Sequence, residues 1–289
     1  MVYHAIDPVE IDGLLHNFLL GSNFGIIFSK GYLVKSYTMK KTLLSLLFIS
    51  VFWFSSCKKE ITSVILSGPV GVNDLRNVGA SAAELLASDT YTALTVELQY
   101  GPGMQLQEQS VTNLRSFLEQ RLNKPGGITV QSKPVATIGK SVVSVADITS
   151  FTDKNRTAYT DGNRITVYVY VTDAGFDKGN VVGIAYRNTA VCLFGKTIQS
   201  NSGGINQAGR VKVESGVLLH EIGHILGLVN NGTGMVTPHE DVDNRAHCTN
   251  TNCLMYYTIE TTGLMNMLNN NIPQLDANCI NDLRANGGK

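Results

Sequence analysis

The sequence predicts an α+β fold: a mixed, twisted sheet packed against a long helix, with a small C-terminal subdomain that ends in a helix. Three observations support this prediction. Residues 164–171 form a β-branched and aromatic run between turn residues, which is typical of a strand. Between Val111 and Leu122, apolar residues recur every three or four positions, which is typical of an amphipathic helix. The signals follow one another as strand, helix, strands, helix, which favours helices packed on a sheet.

The other elements rest on shorter patterns. Ser81 to Glu84 has the form of a capping box, in which two side chains satisfy free N–H groups at a helix start, so a short helix is predicted over 82–87. A Gly/Ser/Asn-rich loop over 199–209 precedes a helix predicted over 211–228, and a last helix follows Pro273. Further strands are predicted at 92–100, 128–131, 181–186 and 189–194, the last two joined by a tight turn at Arg187-Asn188.

The composition is that of an ordinary globular protein. The chain has 289 residues, 43% of them hydrophobic, which is enough for one domain or two small ones. The formal net charge is zero. This balance argues against nucleic acid or an anionic membrane surface as an electrostatic partner.

The N-terminal part is predicted to be an export signal. A basic start, Met39-Lys40-Lys41, is followed by an apolar run over 43–54 and by Ser55-Ser56-Cys57, the layout of a bacterial lipoprotein signal peptide. The run is shorter than the roughly 20 residues that a membrane-spanning helix needs; a helix buried in the core is the alternative. Lipidated Cys57 would anchor the mature protein in the bacterial cell envelope, on the periplasmic or cell-surface face of the outer membrane.

These signals divide the chain into four parts. Residues 1–38 lie upstream of the predicted start, and residues 39–57 form the signal peptide. Residues 58–90 are predicted to be a tether with a short helix. Residues 91–289 are predicted to form one functional domain, with an upper part at 91–228 and a lower part at 229–289.

Three side chains on the long helix point to metal chemistry. His220 and His224 are four residues apart, so their imidazoles project from one face of the helix about one turn apart. Zn²⁺ accepts histidine nitrogen and lowers the pKa of bound water to about 7. Glu221 can reach such a water without binding the ion. The alternative is a helix that carries these residues by chance, but the apolar residues around them predict a well-formed helix.

The residues that follow extend this motif. Gly227 can adopt a positive φ angle, which lets the chain turn back beneath the ion. The stretch from His220 to Gly227 resembles the motif of the metzincin metallopeptidases, which continues to a third ligand, usually histidine. Asn230 stands at that position here and is a poor zinc ligand. The resemblance therefore implies a third ligand elsewhere in the chain.

Two later histidines are candidates for that ligand. His247 opens the segment His247-Cys248-x4-Cys253-x-Met255, which is similar to the archaemetzincins. The resemblance implies that residues 229–246 are an insertion and that His247 completes the site. His239 is the alternative third ligand. It stands in the acidic segment 239–243, which could also be a solvated loop or a calcium site.

The resemblance assigns roles to further residues. Met255 matches the methionine beneath the metal in metzincins, although it could also be a core residue. Tyr257 matches a tyrosine near the metal in some metzincins and would stabilise an oxyanion. Archaemetzincins instead have a cysteine there and a second zinc site of four cysteines. An exported protein meets an oxidising compartment, so a disulfide involving Cys248 or Cys253 is expected here instead, with Cys192 and Cys279 as the other cysteines.

Together the motif and the resemblance imply a zinc-dependent endopeptidase. His220, His224 and His247 would hold Zn²⁺, and Glu221 would be the general base. A peptide or protein substrate would lie extended along an edge strand within 181–194. The protein is expected to be a monomer, held to the membrane by its lipid anchor. The alternatives are a lipid-anchored binding or adhesion protein with a structural zinc site, and a metal-dependent hydrolase acting on other substrates.

Overall fold

The computed structural model describes residues 72–204, 207–263 and 271–289. The predicted signal peptide, Cys57 and most of the predicted tether lie outside the described residues, so they remain predictions. In the part of the chain that is described, no helix is long and apolar enough to cross a membrane.

The described chain contains seven strands and six α-helices, together with short 3-10 helices at Val72–Asp74 and Tyr257–Glu260. The strands are β1 (Ala93–Tyr100), β2 (Ile128–Pro134), β3 (Val142–Val143), β4 (Arg164–Thr172), β5 (Gly175–Phe176), β6 (Gly183–Arg187) and β7 (Ala190–Phe194). The helices are α1 (Ala82–Leu86), α2 (Glu108–Arg121), α3 (Val145–Asn155), α4 (Gly195–Ser200), α5 (Arg210–Ile225) and α6 (Ala277–Ala285).

Five strands form one mixed sheet in the order β2-β1-β4-β7-β6. Strand β1 pairs in parallel with β2 and with β4, so that Leu94 lies opposite Ile128 on one side and Ile165 on the other. Strand β4 is parallel to β7, whereas β6 runs antiparallel to β7 at the edge of the sheet. Strands β3 and β5 form a separate parallel pair. The mixed sheet with helices packed on it confirms the predicted fold class.

Both faces of the sheet are covered. Along β4, Val167 and Val169 belong to the core shared with α2 and α5, whereas Tyr168 and Tyr170 belong to the core shared with α3. The rings of Tyr170 and Phe151 of α3 stack with their centroids 4.6 Å apart. Side chains of a strand point alternately to its two faces, so a strand buried on both faces has a continuous apolar sequence. This explains the strong strand signal over residues 164–171.

Helix α5 lies inside the larger core rather than on the surface. Every residue from 213 to 225 is buried, including the charged Glu214. That carboxylate is satisfied by α2 and by its own helix, since it accepts hydrogen bonds from Ser110 Oγ at 2.7 Å and from Arg210 Nε at 2.6 Å. Because α5 packs against α2 on one side and β6 on another, its side chains have fixed surroundings. The helix is therefore a rigid platform for the two histidines near its end.

The structure corrects the prediction of a tether at its C-terminal part. Residues 72–80 pack on the domain, and Asp74 is fully buried. Its carboxylate lies 3.1 Å from Arg156 Nη2 and accepts a hydrogen bond from Thr160 N at 3.0 Å. An acidic side chain in a polar stretch suggests exposure, but a buried arginine elsewhere in the sequence supplies the partner that burial requires.

Other differences are local. The sequence did not predict α3, although Ser144 and Asp147 form a complete capping box at its start. The turn between β6 and β7 falls at residues 188–189 rather than at 187–188, because the register shifts between Ala185 and Arg187. A bulge of this kind adds one residue to a strand without changing its apolar pattern. The short strands β3 and β5 also had no clear signal.

Candidate metal centre

Two imidazoles converge at the end of helix α5. His220 and His224 lie one turn apart and are fully buried. Their Nε2 atoms are 3.1 Å from each other. Two nitrogen ligands that each lie about 2.0–2.1 Å from a tetrahedral zinc ion are roughly 3.3 Å apart. The observed separation of the two nitrogens therefore fits a shared ion.

The orientation of His220 is fixed by the segment that packs beneath the helix. Its Nδ1 lies 2.7 Å from the carbonyl oxygen of Leu254. A carbonyl oxygen can only accept, so Nδ1 carries the proton and Nε2 keeps its lone pair for a metal ion. Histidine ligands are commonly oriented in this way by a backbone carbonyl.

The chain leaves the helix through the turn that the sequence predicted. Gly227 has φ 77°, and the N–H of Leu228 donates to the carbonyl oxygen of Gly223 at 3.2 Å. A Cβ atom at Gly227 would lie 2.6 Å from the backbone nitrogen of Thr233, so a side chain there would collide with the returning chain. Asn230 follows with φ 62° and is exposed, so the structure does not bring it to the histidines.

His247 is the histidine that the structure brings to this pair. A loop closed by an antiparallel bridge between Glu240 and Cys248 returns the chain to α5. The His247 ring lies 5.3 Å from that of His220 and 5.0 Å from that of His224, between centroids. Its Nδ1 donates to the carbonyl oxygen of Arg245 at 3.0 Å, so Nε2 carries no proton and keeps its lone pair for a metal ion. This Nε2 is buried without a hydrogen-bond partner in the described chain.

The alternative ligand His239 lies in a different place. Its Nε2 is 2.7 Å from Asp282 Oδ2 and its Nδ1 is 3.3 Å from Cys248 Sγ. Both ring nitrogens therefore have partners away from the three histidines, and His239 is only 5% exposed. The acidic sequence around His239 suggested a solvated loop residue. The ring is instead buried and contacts Asp282 and Cys248 in the lower part of the domain.

The acidic residues beside His239 are occupied by local contacts. Glu240 accepts hydrogen bonds from Arg245 Nη1 at 3.0 Å and from the N–H of Ala246 at 3.1 Å. Asp241 accepts from Asn244 Nδ2 at 2.9 Å. Neither carboxylate belongs to a group of metal donors among the described residues. These contacts close the loop that carries His247 and give no support to a calcium site.

A fourth donor, not predicted from the sequence, is Glu260. One carboxylate oxygen, Oε2, lies 3.5 Å from His247 Nε2 and 3.9 Å from His224 Nε2. Donor atoms of the three histidines and Glu260 all lie within 4.8 Å of one another, and all four residues are buried. The signal available in the sequence was a single charge: between His247 and Asp276, Glu260 is the only Asp, Glu, Lys, Arg or His, and it lies five residues after Met255.

The surroundings keep the three imidazoles neutral. Burial lowers the pKa of His220 and of His224 well below the ordinary value, and the neighbouring imidazoles lower it further. Burial likewise lowers the pKa of His247 to about 4. Metal binding requires the neutral form of histidine, so no proton has to be removed at neutral pH. The donor set, three neutral imidazoles and a carboxylate in a dry cluster, fits a zinc ion.

Glu221 lies beside this cluster under the edge strand β6. Both of its carboxylate oxygens are buried without a full hydrogen bond from the described residues. Burial raises the pKa of Glu221 to about 7, and the N–H of Ala185 on β6 opposes part of this rise. A Cβ atom at Gly183 would lie 2.7 Å from Glu221 Oε1, so only a glycine lets β6 approach so closely. Burial thus favours the neutral, protonated form of this carboxyl group.

Met255 packs against helix α5 behind the two histidines. It is fully buried, and its sulfur atom contacts the backbone of α5 at Gly223, between the two histidines. The chain is held there by a hydrogen bond from the N–H of Cys248 to the Met255 carbonyl oxygen at 2.8 Å. Tyr257 is half-buried, and its ring packs on Tyr256 with the centroids 4.8 Å apart. A role of Tyr257 at an oxyanion remains a prediction.

A second donor cluster lies in the lower part of the domain. Its first four members are His239, Cys248, Asp276 and Cys279, whose donor atoms lie within 4.8 Å of one another. Cys253 belongs with them, since its Sγ is 3.6 Å from Cys279 Sγ. All four cysteines of the described chain are free thiols, so the expected disulfide is not formed. A disulfide would require the two sulfur atoms to lie about 2.05 Å apart.

Backbone N–H groups surround the sulfur atoms of this cluster. Cys253 Sγ accepts hydrogen bonds from Met255 N and Asp276 N, both at 3.4 Å, and Cys248 Sγ accepts from Asn250 N at 3.4 Å. Thiol hydrogen bonds, from Cys248 first, lower the pKa of Cys253 to about 4. These donors stabilise a thiolate, the form of cysteine that binds metals. The resemblance pointed to a second zinc site of four cysteines, in place of which a disulfide was expected. That His239 and Asp276 join the cysteines was not predicted, because these residues are spread over positions 239–279.

Comparison with known proteins gives a weak likeness in structure alone. No protein-family model and no curated protein matches the chain. The chain is similar to an archaemetzincin from Methanopyrus kandleri, with 14% identity, 68% of this chain and 96% of that one covered, and a TM-score of 0.46. It is also similar to metalloproteinase-II from Bacteroides fragilis, with 17% identity, 76% of this chain and 57% of that one covered, and a TM-score of 0.38. At these values the function has to be inferred from the site itself.

Proposed function

We propose that the chain is a zinc-dependent endopeptidase. The observation that carries the proposal is the convergence of His220, His224 and His247 beside the buried Glu221. Three neutral imidazoles are the donor set of many catalytic zinc sites, and a carboxyl group next to them is the usual proton acceptor. When bound, zinc supplies a strong Lewis acid that activates water and polarises a carbonyl group.

Each residue has a defined part in this proposal. The three histidines bind the ion through Nε2, and the Leu254 carbonyl oxygen keeps His220 in the required tautomer. A carboxylate oxygen of Glu221 takes a proton from the attacking water and later gives it to the leaving amine. Burial raises the pKa of Glu221, which favours uptake of the proton from water.

The edge strand offers a binding mode for the substrate. Strand β6 is at the edge of the sheet, antiparallel to β7, and lies directly over Glu221. An extended peptide could pair with its backbone, which would give binding with little sequence preference. Tyr257, next in the chain after Tyr256, would stabilise the oxyanion with a hydrogen bond from its hydroxyl group.

The decisive variant is Glu221→Gln. It keeps the shape of the side chain but cannot take up a proton, so we expect hydrolysis of casein and of quenched fluorescent peptides to fall about 10²–10⁴-fold. Zinc content should not change, because Glu221 is not a ligand. Glu119→Gln, on the exposed face of α2, is the matched control. Full activity of the Glu221 variant, or loss of its zinc, would contradict the proposal.

The rival function is a binding or adhesion protein in which zinc is structural. Four protein donors at one ion favour it, because such a site has no position for water, and Glu260 is a possible fourth donor. Wild-type protein that holds zinc but cleaves no peptide, with or without chelator, would contradict the peptidase and leave this rival and a hydrolase of other substrates. Cleavage that a chelator abolishes and added zinc restores would decide for the peptidase.

The second donor cluster supports a separate, structural ion. We propose that Cys248, Cys253, Cys279 and His239 hold it, with Asp282 orienting the imidazole through Nε2. Two sulfur ligands of a tetrahedral zinc ion lie roughly 3.8 Å apart, close to the 3.6 Å between Cys253 and Cys279. A closed site of this type stabilises the fold and takes no part in the reaction.

Metal content tests the second ion. Wild-type protein should contain two zinc ions per chain, and Cys279→Ser should retain one together with peptidase activity in the surviving fold. Cys192→Ser is the control, since Cys192 is equally buried but lies in β7. One zinc ion in the wild type, unchanged by Cys279→Ser, would show that the cluster is a set of packed thiols.

The cell-envelope location is a prediction from the sequence alone. We propose that Cys57 is lipidated and that the chain is anchored as a monomer in the cell envelope. The test is mass spectrometry of the N-terminal peptide after bacterial expression, compared with a Cys57→Ala variant. An unmodified peptide that begins upstream of residue 57 would contradict the anchor.

A further inference from the structure

Glu260 differs from the other donors in the way its backbone is held. Its carbonyl oxygen accepts a hydrogen bond from the N–H of Val182 at 2.9 Å, and the N–H of Thr262 donates to the Asn180 carbonyl oxygen at 2.9 Å. An antiparallel bridge joins Val181 and Thr261 between these bonds. Residues 260–262, the last residue of the 3-10 helix and the two that follow it, therefore pair through this single bridge, as a short extra strand, with residues 180–182 of the chain that leads into β6.

This extra strand lies where the edge strand meets the metal centre. Val182 comes immediately before Gly183, the residue against which Glu221 packs. On its other side the carbonyl oxygen of Val182 accepts a hydrogen bond from Phe194 N at 3.0 Å, so only the outer edge remains for a substrate. Residues 260–262 occupy this outer edge at residues 180–182, directly before β6 begins at Gly183. The same residue, Glu260, pairs with the edge through its backbone and reaches the histidines with its side chain.

We propose that residues 260–262, the blocking strand, keep the metal centre closed in the resting protein: Glu260 is a fourth protein ligand, and the backbone of the blocking strand occupies residues 180–182, where a substrate that extends beyond the start of β6 would pair. The inference rests on the proposed peptidase function and concerns the regulation of that same site. Four protein donors fill a tetrahedral coordination sphere and leave no position for water. Catalysis then requires the blocking strand to move away.

The way this strand is attached suits reversible movement. Ile259, just before it, is fully buried in the main core and anchors the 3-10 helix. Two backbone hydrogen bonds, to Glu260 O from Val182 N and from Thr262 N to Asn180 O, hold the strand to the edge, and Thr261 N donates to Thr258 O within the segment. Local opening of such a segment breaks backbone hydrogen bonds without unfolding the domain. An extended substrate would replace the same backbone bonds and so compete with it directly.

The blocking strand has a measurable cost for activity. When only a fraction of the molecules is open, apparent substrate affinity falls by that fraction. Removing the carboxylate should therefore raise kcat/KM, by about tenfold for a strand that is closed nine-tenths of the time. A residue needed for catalysis would show the opposite sign, since its loss would lower kcat/KM.

Two variants separate the side chain from the backbone. Glu260→Gln removes the charged ligand but keeps the shape. Thr262→Pro removes the N–H that bonds to Asn180 and leaves Glu260 in place. Thr261, the residue before it, has φ −119° and ψ 167°, which is the region that a residue preceding proline prefers, so the change fits the chain. Glu119→Gln again serves as the control for a glutamate far from the site.

The measurements are the absorption spectrum of the cobalt-loaded protein, zinc affinity and peptide cleavage. For Glu260→Gln we expect a changed cobalt spectrum, zinc affinity weakened about tenfold or more, and kcat/KM raised about tenfold; Thr262→Pro should also raise kcat/KM. A cobalt spectrum identical to that of the wild type in Glu260→Gln, or cleavage reduced by either variant, would overturn the inference while the peptidase function stands. If the cobalt spectrum changes but neither the wild type nor either variant cleaves peptide, the peptidase function and the blocking role are both overturned.

Discussion

The sulfur atom of Met255 lies where the Cβ atom of a larger residue at position 223 would be. Gly223 is between His220 and His224 on α5, so the methionine supports the helix directly behind the two ligands. Alanine favours helices over glycine by about 1 kcal/mol, but here its methyl group would have to displace Met255. We expect Gly223→Ala to destabilise the protein by about 1–3 kcal/mol and to weaken zinc binding.

Chemical denaturation and zinc titration check this prediction. Gly234→Ala is the control, because no atom lies within 4 Å of the Cβ position at Gly234. When Met255 is replaced by alanine, the added methyl group at position 223 has room. The double variant Gly223→Ala/Met255→Ala should therefore be about as stable as Met255→Ala alone. Equal stability of Gly223→Ala and the wild type would show that the helix and the methionine can move apart freely.

A second glycine sets the position of the proposed general base. At Gly183 a Cβ atom would lie 2.6 Å from Val217 Cγ1 and 2.7 Å from Glu221 Oε1. The Glu221 side chain is flexible, so it would give way, and a displacement of about 1 Å can lower activity roughly 10²-fold. We expect Gly183→Ala to reduce kcat strongly and to leave zinc binding intact, because no histidine is touched.

Peptide kinetics and zinc content, measured on the same preparation, test this second prediction. Gly175→Ala is the matched control: Gly175 also lies in a strand, β5, and the atom nearest to its Cβ position is Ser141 O at 3.8 Å. A Gly183 variant with normal kcat would mean that the close approach of β6 does not position Glu221.

The sequence could predict the helical part of the metal centre but not its full donor set. His220, Glu221 and His224 are close in the chain, so the geometry of a helix alone brings them together. His247 was predicted from a resemblance, and its arrival depends on a loop closed by Glu240 and Cys248. Glu260 was missed, because its approach depends on pairing with residues 180–182, a contact between distant segments that no local pattern encodes.

The same distinction holds for the fold. Strand β4 and helix α2 were predicted closely, since burial gives them strong apolar patterns. Helix α3 was not, although its buried residues Ile148 and Phe151 repeat with helical spacing. The cysteines were mispredicted for another reason. Two sulfur atoms lie about 2.05 Å apart in a disulfide, whereas those of Cys253 and Cys279 are 3.6 Å apart, and sequence spacing does not determine this separation.

Glu97 on β1 makes the stability of the domain depend on acid pH. Burial raises the pKa of its carboxyl group, but hydrogen bonds from Lys133, Thr157 and Ala158 lower it more, so the net pKa lies below the ordinary 4.5. The folded state thus binds this proton less readily than the unfolded chain. The stabilisation is complete above about pH 4.5 and is lost as the pH falls through the lower, folded pKa.

Urea denaturation of wild type and Glu97→Gln between pH 7 and pH 3 measures this effect. The variant should be less stable at pH 7, and the difference between the two proteins should shrink as the pH falls. Because both proteins share every other titrating group, including the histidines, the difference isolates Glu97. A difference that stays constant over this range would show that the carboxyl group titrates alike in both states.

The buried pair Asp74 and Arg156 makes residues 72–80 part of the folded domain. Both side chains are at most 1% exposed, with Asp74 Oδ1 3.1 Å from Arg156 Nη2, and Asp74 also accepts from Thr189 Oγ1 at 2.9 Å. Removing one member of such a pair leaves the other charge buried without compensation, which typically costs about 3–5 kcal/mol. We expect Asp74→Asn to lower the free energy of unfolding by that amount.

The control for this last prediction is an ion pair at the surface. Asp153 binds Arg187 at 2.6 Å, but the aspartate side chain is 42% exposed, so Asp153→Asn should cost no more than about 1 kcal/mol. The ratio of the two effects separates burial from charge pairing, since each variant removes one carboxylate from one arginine. If both variants lost the same small amount, residues 72–80 would be loosely attached, and the boundary of the domain would move back toward residue 91, where the sequence alone had placed it.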